Sequence, residues 1–167
     1  RSNMQKYILT ALLLACATTA GADNFRPQKL VLIQGLYVPY QNGNTIHAHP
    51  ERHFSADLQA VYQEDKQHTP PNEVGCIDYD PIIAGQDWDS ASLNRTLNIR
   101  PLANGRIEAV FQQFPGDFSA TQVQFVLQCS PNGRCLVDDI YSATPGHRLV
   151  SFKRSVRRCI SEMTNQH

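Results

Sequence analysis

Three of the six histidines lie within seven residues, in the stretch NTIHAHPERHF. His47, His49 and His53 follow the pattern H-x-H-x3-H, and imidazoles this close together raise the question of a zinc site. Such a site needs further ligands and supporting carboxylates, whereas Glu51 and Asp57 are placed as ordinary acids at a helix start. We therefore interpret the stretch as a polar turn and keep the three histidines as weak metal candidates.

Two adjacent carboxylates, Asp138 and Asp139, are the weak candidates for a catalytic base. Because neighbouring residues of a strand point to opposite faces, the pair is not expected to act together on one substrate. One carboxylate would face the interior, as a general base in a cone-shaped pocket. The favoured alternative is structural: it accepts hydrogen bonds from backbone amides or pairs with Arg148 or Arg154, since an unpartnered buried carboxylate is costly.

A cluster of four aspartates occupies residues 78–89: Asp78, Asp80, Asp87 and Asp89. Their spacing lacks the alternating ligands, central glycine and terminal glutamate of a calcium loop, so capping and turn roles are favoured. Tyr79 and Trp88 stand among these acids. With Asp87 they are candidates for a ligand or partner surface, although packing between helix and sheet is the usual role of such aromatics.

Basic residues line the segment predicted to form the last helix: Lys153, Arg154, Arg157 and Arg158. We take the three arginines as candidate surface residues for an acidic partner, anionic lipid headgroups or peptidoglycan phosphates. A solvated helix face is the favoured interpretation, because cations suit the C-terminal part of a helix. The sequence shows no nucleophile elbow, phosphate-binding glycine loop or reactive Cys/His pair, and no cofactor is predicted.

Four cysteines remain once Cys16 is set aside, an even number that suits a compartment permitting disulfides. Cys129 and Cys135 flank the tight turn SPNGR, so they are expected to face each other across a hairpin and form a bond. Cys76 and Cys159 then pair by elimination. Because there is no C-x2-C pair, structural bridges are favoured over a metal cluster.

The beginning of the chain predicts export. The positively charged start MQK precedes the apolar run YILTALLLA, which is shorter than the roughly 20 residues that span a bilayer. Ala20-Gly21-Ala22 supplies the small residues that signal peptidase accepts, which makes Asp23 the mature N-terminus. In the alternative, LLAC resembles a lipoprotein box with Cys16 as the lipidated residue, although Leu14 is bulky for its position there.

Residues 1–22 are thus expected to be a tag remnant and signal peptide, and residues 23–167 a single globular domain of ordinary size. Without Arg1 and Lys6 the chain has 13 basic and 15 acidic residues, and this net charge of −2 argues against a nucleic-acid partner. The expected location is periplasmic or secreted, with a lipoprotein anchored through Cys16 as the alternative.

Helical spacing dominates the first half. Pro27–Gln41 begins with a proline suited to a first helical turn, although Leu30 to Ile33 alone also suits a buried strand. A second helix is predicted from Ser55 to Lys66, with Ser55 as its N-cap. A final helix is predicted from His147 to Glu162. Its predicted inner face consists of Leu149, Phe152, Val156, Cys159 and Ile160.

In the second half, apolar and polar residues alternate, and this pattern predicts four strands, at 95–102, 106–114, 121–129 and 135–141. Asn-Gly pairs lie between the first two strands and between the last two, and this dipeptide is a strong hairpin signal. Helices followed by two hairpins indicate an α+β fold.

Three stretches carry a family resemblance: DPIIAGQDWD, LNIRPLANGRIEAVF and CLVDDIYSATPGHRLVSFKRSV. They resemble the bacterial family catalogued as domain of unknown function 3828, which includes exported proteins and lipoproteins. Cys135-Leu136 stands where that family often has a bulky aromatic. The resemblance implies a cystatin-like or nuclear transport factor 2-like fold: N-terminal helices packed on a curved antiparallel sheet of about four strands, with a C-terminal helix.

The sequence thus favours a non-enzymatic, exported cell-envelope protein that binds a protein or small ligand at the concave sheet face. Its specific form is a toxin-immunity protein, suggested by compartment, size and fold group. The alternative is a small periplasmic enzyme using Asp138 or Asp139 as general base. Membrane association is expected only with lipidation at Cys16.

Overall fold

The computed structural model describes residues 23–46, 52–143 and 148–165 of the chain. Within these ranges the chain forms an α+β fold, as the sequence predicts, with helices packed on one antiparallel sheet. The helices are α1 (Arg26–Gln41), α2 (Ala56–His68), α3 (Ser90–Thr96) and α4 (Phe152–Thr164). The strands are β1 (Asn98–Pro101), β2 (Ile107–Phe111), β3 (Thr121–Cys129), β4 (Cys135–Ala143) and β5 (Val150–Ser151). The strands lie side by side in chain order.

None of the described helices is long and apolar enough to span a membrane. The predicted signal peptide and its alternative lipidation site lie outside the described residues, as do the candidate histidines His47 and His49.

One face of α1 packs on the sheet. The buried residues of this helix are Ile33, Leu36, Tyr37 and Tyr40, at helical spacing. The ring of Tyr37 meets Phe125 of β3 edge-on at 6.2 Å between centroids, and its hydroxyl donates to the carbonyl of Ile82 at 2.8 Å. Val31 is 68% exposed, so the alternative of a buried strand at Leu30 to Ile33 is wrong.

The side of the sheet that faces the helices is filled with protein. Its side chains are at most 1% exposed: Ile107, Ala109, Phe111, Val123, Phe125, Val137 and Ile140. These side chains form the main apolar core, and burying each large one stabilises the fold by roughly 1.5–3 kcal/mol. This face of the sheet is therefore covered by α1, α2 and α4 in the folded chain.

The pairing of β3 with β4 is interrupted by a bulge. Val126 pairs with Asp139 and Leu127 pairs with Val137, so Asp138 is the extra residue. The segment before α2 joins β4 beside this bulge: the Val137 amide donates to the His53 carbonyl at 2.7 Å, and the Ser55 amide donates to the Val137 carbonyl at 2.8 Å. A bulge bends its strand and re-aims its side chains.

Both predicted disulfides are present. Cys129 and Cys135 are register partners across the hairpin, and Cys76 is bonded to Cys159 of α4, 83 residues later. Asp65 of α2 fixes the same loop by accepting the amide of Cys76 at 2.6 Å. The two bonds are consistent with a protein that resides outside the cytoplasm.

The structure departs from the prediction in three elements. The sheet has a fifth strand, β5, whose Ser151 pairs with Tyr141 of β4. A short helix, α3, precedes β1 and is capped by Asp89, which accepts the amide of Ser92 at 2.6 Å. The last helix begins at Phe152 instead of His147, so Leu149 does not belong to its inner face.

Candidate functional site

The bulge places Asp138 and Asp139 beside the beginnings of two helices. Ser55, the N-cap of α2, donates its hydroxyl to Asp138 Oδ1 at 2.8 Å, and Ser151, the N-cap of α4, donates to Asp139 Oδ2 at 2.6 Å. Each serine oxygen also accepts a backbone amide of its own helix, Leu58 or Arg154, at 3.1 Å. The two carboxylates thus orient the capping hydroxyls of both helices.

Lys153 joins the two carboxylates. Its amide donates to Asp139 Oδ1 at 3.2 Å, and its ammonium group lies 3.0 Å from Asp138 Oδ2 and 2.5 Å from Asp57 Oδ2. Partial burial lowers the pKa of Lys153, but the hydrogen bonds with Asp57 and Asp138 outweigh this effect and raise it overall.

Both carboxylates contact Lys153, Asp138 at its ammonium group and Asp139 at its backbone amide, and Asp138 is the extra residue of the bulge. The predicted backbone partners of a buried carboxylate are present, since Asp139 is 7% exposed and accepts the amides of Ile140 and Lys153. The predicted ion-pair partners, Arg148 and Arg154, are wrong: Lys153 is the cation at this site.

Phe152, the first residue of α4, belongs to an aromatic cluster next to these capping contacts. Its ring lies 5.6 Å from that of Tyr62 on α2 and meets the ring of Tyr79 edge-on at 6.1 Å. Tyr62 is also stacked on Phe54 at 5.8 Å. Phe152 is 2% exposed, so it forms the buried support beneath two tyrosines that reach the surface.

A pocket of about 320 Å³ opens above this support, and we call it the aromatic pocket. It is lined by Thr45, Tyr62, Ile77, Asp78, Tyr79, Asp80, Pro81, Gln86 and Trp88. Three aromatic rings and two carboxylates thus surround one opening. Tyr79 and Trp88, which the sequence marks as surface candidates, are brought together here, and Tyr62 was missed because it belongs to the distant helix α2.

Trp88 is held rigidly at the pocket wall. Its indole Nε1 donates to the carbonyl of Tyr40 at 2.9 Å, and its ring meets the Tyr40 ring at 5.3 Å. The Tyr40 hydroxyl donates to Asp80 Oδ2 at 2.5 Å. Burial, together with the Asp80 carboxylate, raises the pKa of Tyr40, so this phenol stays protonated as the donor.

Three of the four aspartates of this segment, Asp80, Asp87 and Asp89, make turn or capping contacts of the predicted kind. Asp80 Oδ1 accepts the amide of Ile82 at 2.9 Å, and Asp87 Oδ1 accepts the amide of Trp88 at 2.8 Å. Asp87 is exposed and is not part of the pocket wall. Asp78 is exposed and belongs to the pocket lining.

The arginines of α4 fall into two groups. Arg157 is bound by carboxylates, with its guanidinium 3.1 Å from both Asp57 and Glu64. Arg154 and Arg158 instead line a second pocket beside β4 and β5, away from the aromatic pocket.

Of the three candidate histidines, only His53 lies among the described residues, and its backbone carbonyl accepts a hydrogen bond from the amide of Val137 in β4. Across residues 23–46, 52–143 and 148–165, no group of three or more His, Cys, Asp or Glu is arranged to hold a metal ion.

A buried carboxylate that the sequence does not single out lies on the opposite side of the sheet from the core. Glu108 is 1% exposed and accepts hydrogen bonds from Arg100 at 2.7 Å, from Gln124 at 3.0 Å and from Gln122. Burial raises the pKa of Glu108, but these hydrogen bonds outweigh it and leave the pKa below its ordinary value. Arg100, Glu108, Gln124 and Tyr141 are successive register partners across four strands.

The residues that line the aromatic pocket are of types that can bind a positively charged ligand. Aromatic faces attract cations through their quadrupoles, and two nearby carboxylates add a favourable field for positive charge. The packed rings beneath and beside the pocket fix its walls before any ligand arrives, which lowers the entropic cost of binding. The pocket therefore suits a ligand that combines a positive charge with an apolar body.

No protein-family model matches the chain, and no curated protein matches it. Among solved structures, the chain is similar to a protein of unknown function from Bacteroides thetaiotaomicron VPI-5482. The match has a TM-score of 0.50 and 19% sequence identity, and it covers 72% of this chain and 91% of the other. At this identity the similarity shows the fold alone.

Proposed function

We propose that this chain is an exported, non-enzymatic cell-envelope protein that binds a small cationic ligand in the aromatic pocket. The observation that carries the proposal is the convergence of Tyr62, Tyr79 and Trp88 with Asp78 and Asp80 around one opening. Enclosure of an ammonium group by aromatic rings is a recurrent mode of recognising choline-like and methylated amines. Neighbouring carboxylates add selectivity for charge.

This proposal places the ligand elsewhere than the concave sheet face expected from the sequence, because the face of the sheet that carries the core is covered by helices. The aromatic pocket instead lies where the segment after α2 meets α1 and α4. Loops held by a rigid scaffold commonly carry binding residues. Here the loop residues Tyr79 and Trp88 rest on Phe152 and Tyr40, both of which are buried.

A binding role also accords with the contacts of the two carboxylates considered as catalytic bases. Asp138 is engaged by Ser55 and Lys153, and Asp139 is engaged by Ser151 and two backbone amides. These hydrogen bonds hold the carboxylates in place at helix starts. We assign both residues to the support of the pocket, through the start of α4 and the position of Phe152.

An envelope location, periplasmic or secreted, is part of the proposal. It is supported by the two disulfides and by the export signal that the sequence predicts at residues 1–22. The bond between Cys76 and Cys159 joins the loop that carries Tyr79 to α4, which carries Phe152. An oxidising compartment would therefore maintain the shape of the pocket.

Native mass spectrometry tests the proposal on protein purified without a histidine tag from the envelope of its own cell. We expect an additional mass that corresponds to an organic amine and that is lost in Tyr79→Ala. Thr45→Ala at the pocket rim removes no ring or charge and is the matched control. A stoichiometric metal ion, or an organic mass that persists unchanged in Tyr79→Ala, would contradict the proposal.

A further inference from the structure

The second pocket is lined by arginines that have no carboxylate partner among the described residues. It has a volume of about 330 Å³, and we call it the arginine groove. It is lined by Tyr141, Arg148, Leu149, Val150, Ser151, Arg154, Ser155 and Arg158. It shares no residue with the aromatic pocket, and its three charged side chains are all positive.

The four basic residues of α4 lie on two sides of the helix. Lys153 and Arg157 are paired with carboxylates: Lys153 with Asp57 of α2 and Asp138 of β4, and Arg157 with Asp57 and Glu64 of α2. The next residue in each case, Arg154 and Arg158, is rotated by about 100° around the helix and lies in the groove. Among the described parts of the chain, neither guanidinium has an acidic partner within ion-pair distance, and the same holds for Arg148.

A further arginine lies next to one lining residue. Arg106 does not line the groove itself, but its guanidinium carbon is 3.9 Å from the centre of the Tyr141 ring, and it also donates to Gln124. Tyr141 and Ser155 also line the groove, and each carries a hydroxyl that can donate to an anion.

We propose that the arginine groove binds a phosphate group. Arginine presents planar, paired donors that match phosphate oxygens, and several guanidinium groups converging on one cleft suit a ligand with more than one negative charge. The groove is concave and built from a strand edge and a helix, so the phosphate would be held from two sides. The phosphate source is either a small phosphorylated molecule or the headgroup of an anionic lipid.

The test compares glycerol 3-phosphate with phosphatidylglycerol vesicles. Binding of glycerol 3-phosphate is measured by isothermal titration, and vesicle binding by co-sedimentation against phosphatidylcholine vesicles. The double variant Arg154→Gln/Arg158→Gln removes two groove cations. The control Arg95→Gln/Arg134→Gln removes the same charge from exposed positions outside the groove.

We expect the groove variant to weaken binding about tenfold or more, since hydrogen bonds between charged groups are the strong ones, and the control to leave it within about twofold. Binding of glycerol 3-phosphate would identify a small phosphorylated ligand, and binding to phosphatidylglycerol vesicles alone would identify a lipid headgroup. Absence of binding to both probes overturns the proposal. An equal loss in the control also overturns it, because attraction by net charge would then suffice.

The variants must be folded for either result to count. Arg154 and Arg158 are exposed and make no ion pair in the described structure, so glutamine there is expected to leave the unfolding midpoint unchanged. A glycerol 3-phosphate affinity that is unchanged in the groove variant, with the fold intact, places the phosphate elsewhere and refutes the assignment.

Discussion

Asp139 accepts the hydroxyl of Ser151 at 2.6 Å, and this contact lies directly before Phe152, the ring that supports the aromatic pocket. This hydrogen bond therefore joins the bulged strand β4 to the cap of α4, next to the buried ring that contacts Tyr62 and Tyr79 of the pocket. The neighbouring contact between Asp138 and Ser55 has the same form at α2, which carries Tyr62. Both helices that frame the pocket are thus capped from the same bulge.

This arrangement predicts that Asp139→Asn destabilises the fold. Asparagine keeps the shape but presents an amide to the Ser151 hydroxyl or to the backbone amides, so at least one buried hydrogen bond is lost. We expect a loss of about 2–3 kcal/mol in the free energy of unfolding, measured by chemical denaturation. Asp138→Asn, at a less buried position, is expected to cost less. Unchanged stability in Asp139→Asn would contradict the structural role.

The two disulfides are expected to contribute unequally. The loop closed by Cys76 and Cys159 spans 83 residues, and that of Cys129 and Cys135 spans six. Loop-closure entropy predicts a loss of about 4–5 kcal/mol for the double serine variant of the long bridge and about 2–3 kcal/mol for the short one. Denaturation of the two variants checks the order, and a greater loss from the hairpin bridge would be inconsistent with it.

Alanine substitutions at Gly75 and Gly35 are expected to change the stability of the fold in opposite directions. A methyl group at Gly75 would lie 2.6 and 2.8 Å from the carboxylate oxygens of Asp65, which holds the Cys76 loop. We expect Gly75→Ala to destabilise by about 1–3 kcal/mol through overpacking. Gly35 lies inside α1 with open space around it, so Gly35→Ala is expected to stabilise by about 0.5–1 kcal/mol. Thermal unfolding of both variants is the measurement, and a Gly75→Ala variant as stable as the parent would show that the loop yields.

The lowered pKa of Glu108 leads us to expect that the stability of the fold depends on pH in the acid range. Its hydrogen bonds with Gln122, Arg100 and Gln124 outweigh its burial and hold its pKa below the ordinary value of 4.5. The stabilisation is therefore complete above that value and is lost as the pH falls through the lowered pKa of the folded state.

In Glu108→Gln this part of the acid dependence should disappear. The difference in unfolding free energy between parent and variant is expected to be about 2 kcal/mol at neutral pH and to shrink once the pH falls below 4.5. Urea denaturation at a series of pH values gives this difference directly. A constant difference across the acid range would show that the carboxylate charge is not the source of the stabilisation.

Local signals in the sequence were sufficient for most of the fold. The Asn-Gly turn between Cys129 and Cys135 defines both the hairpin and its disulfide, because partners six residues apart are fixed by one turn. The N-cap at Ser55 was likewise predicted, since a capping serine acts within its own helix. The alternating strands were found for the same reason: their periodicity is visible within a single segment.

Features that depend on distant pairing were not visible. β5 has two residues, too few for a periodic pattern, and it exists because it pairs with Tyr141 and Ser142. The bulge at Asp138 arises from the register of β3 against β4, which no local rule specifies. The aromatic pocket combines Tyr62 with residues of a later loop, and only the packing of α2 against α4 brings them together.

The most direct test of the proposed function uses the fluorescence of Trp88, which is the single tryptophan of the chain and lines the aromatic pocket. The parent protein is titrated with choline and, separately, with its uncharged isostere 3,3-dimethyl-1-butanol. We predict a saturable change with choline, a much weaker one with the isostere, and loss of the choline response in Tyr79→Ala and Asp78→Asn. Thr45→Ala should behave as the parent. Equal responses to choline and to the isostere, or no response to either, would contradict a pocket that recognises a cation.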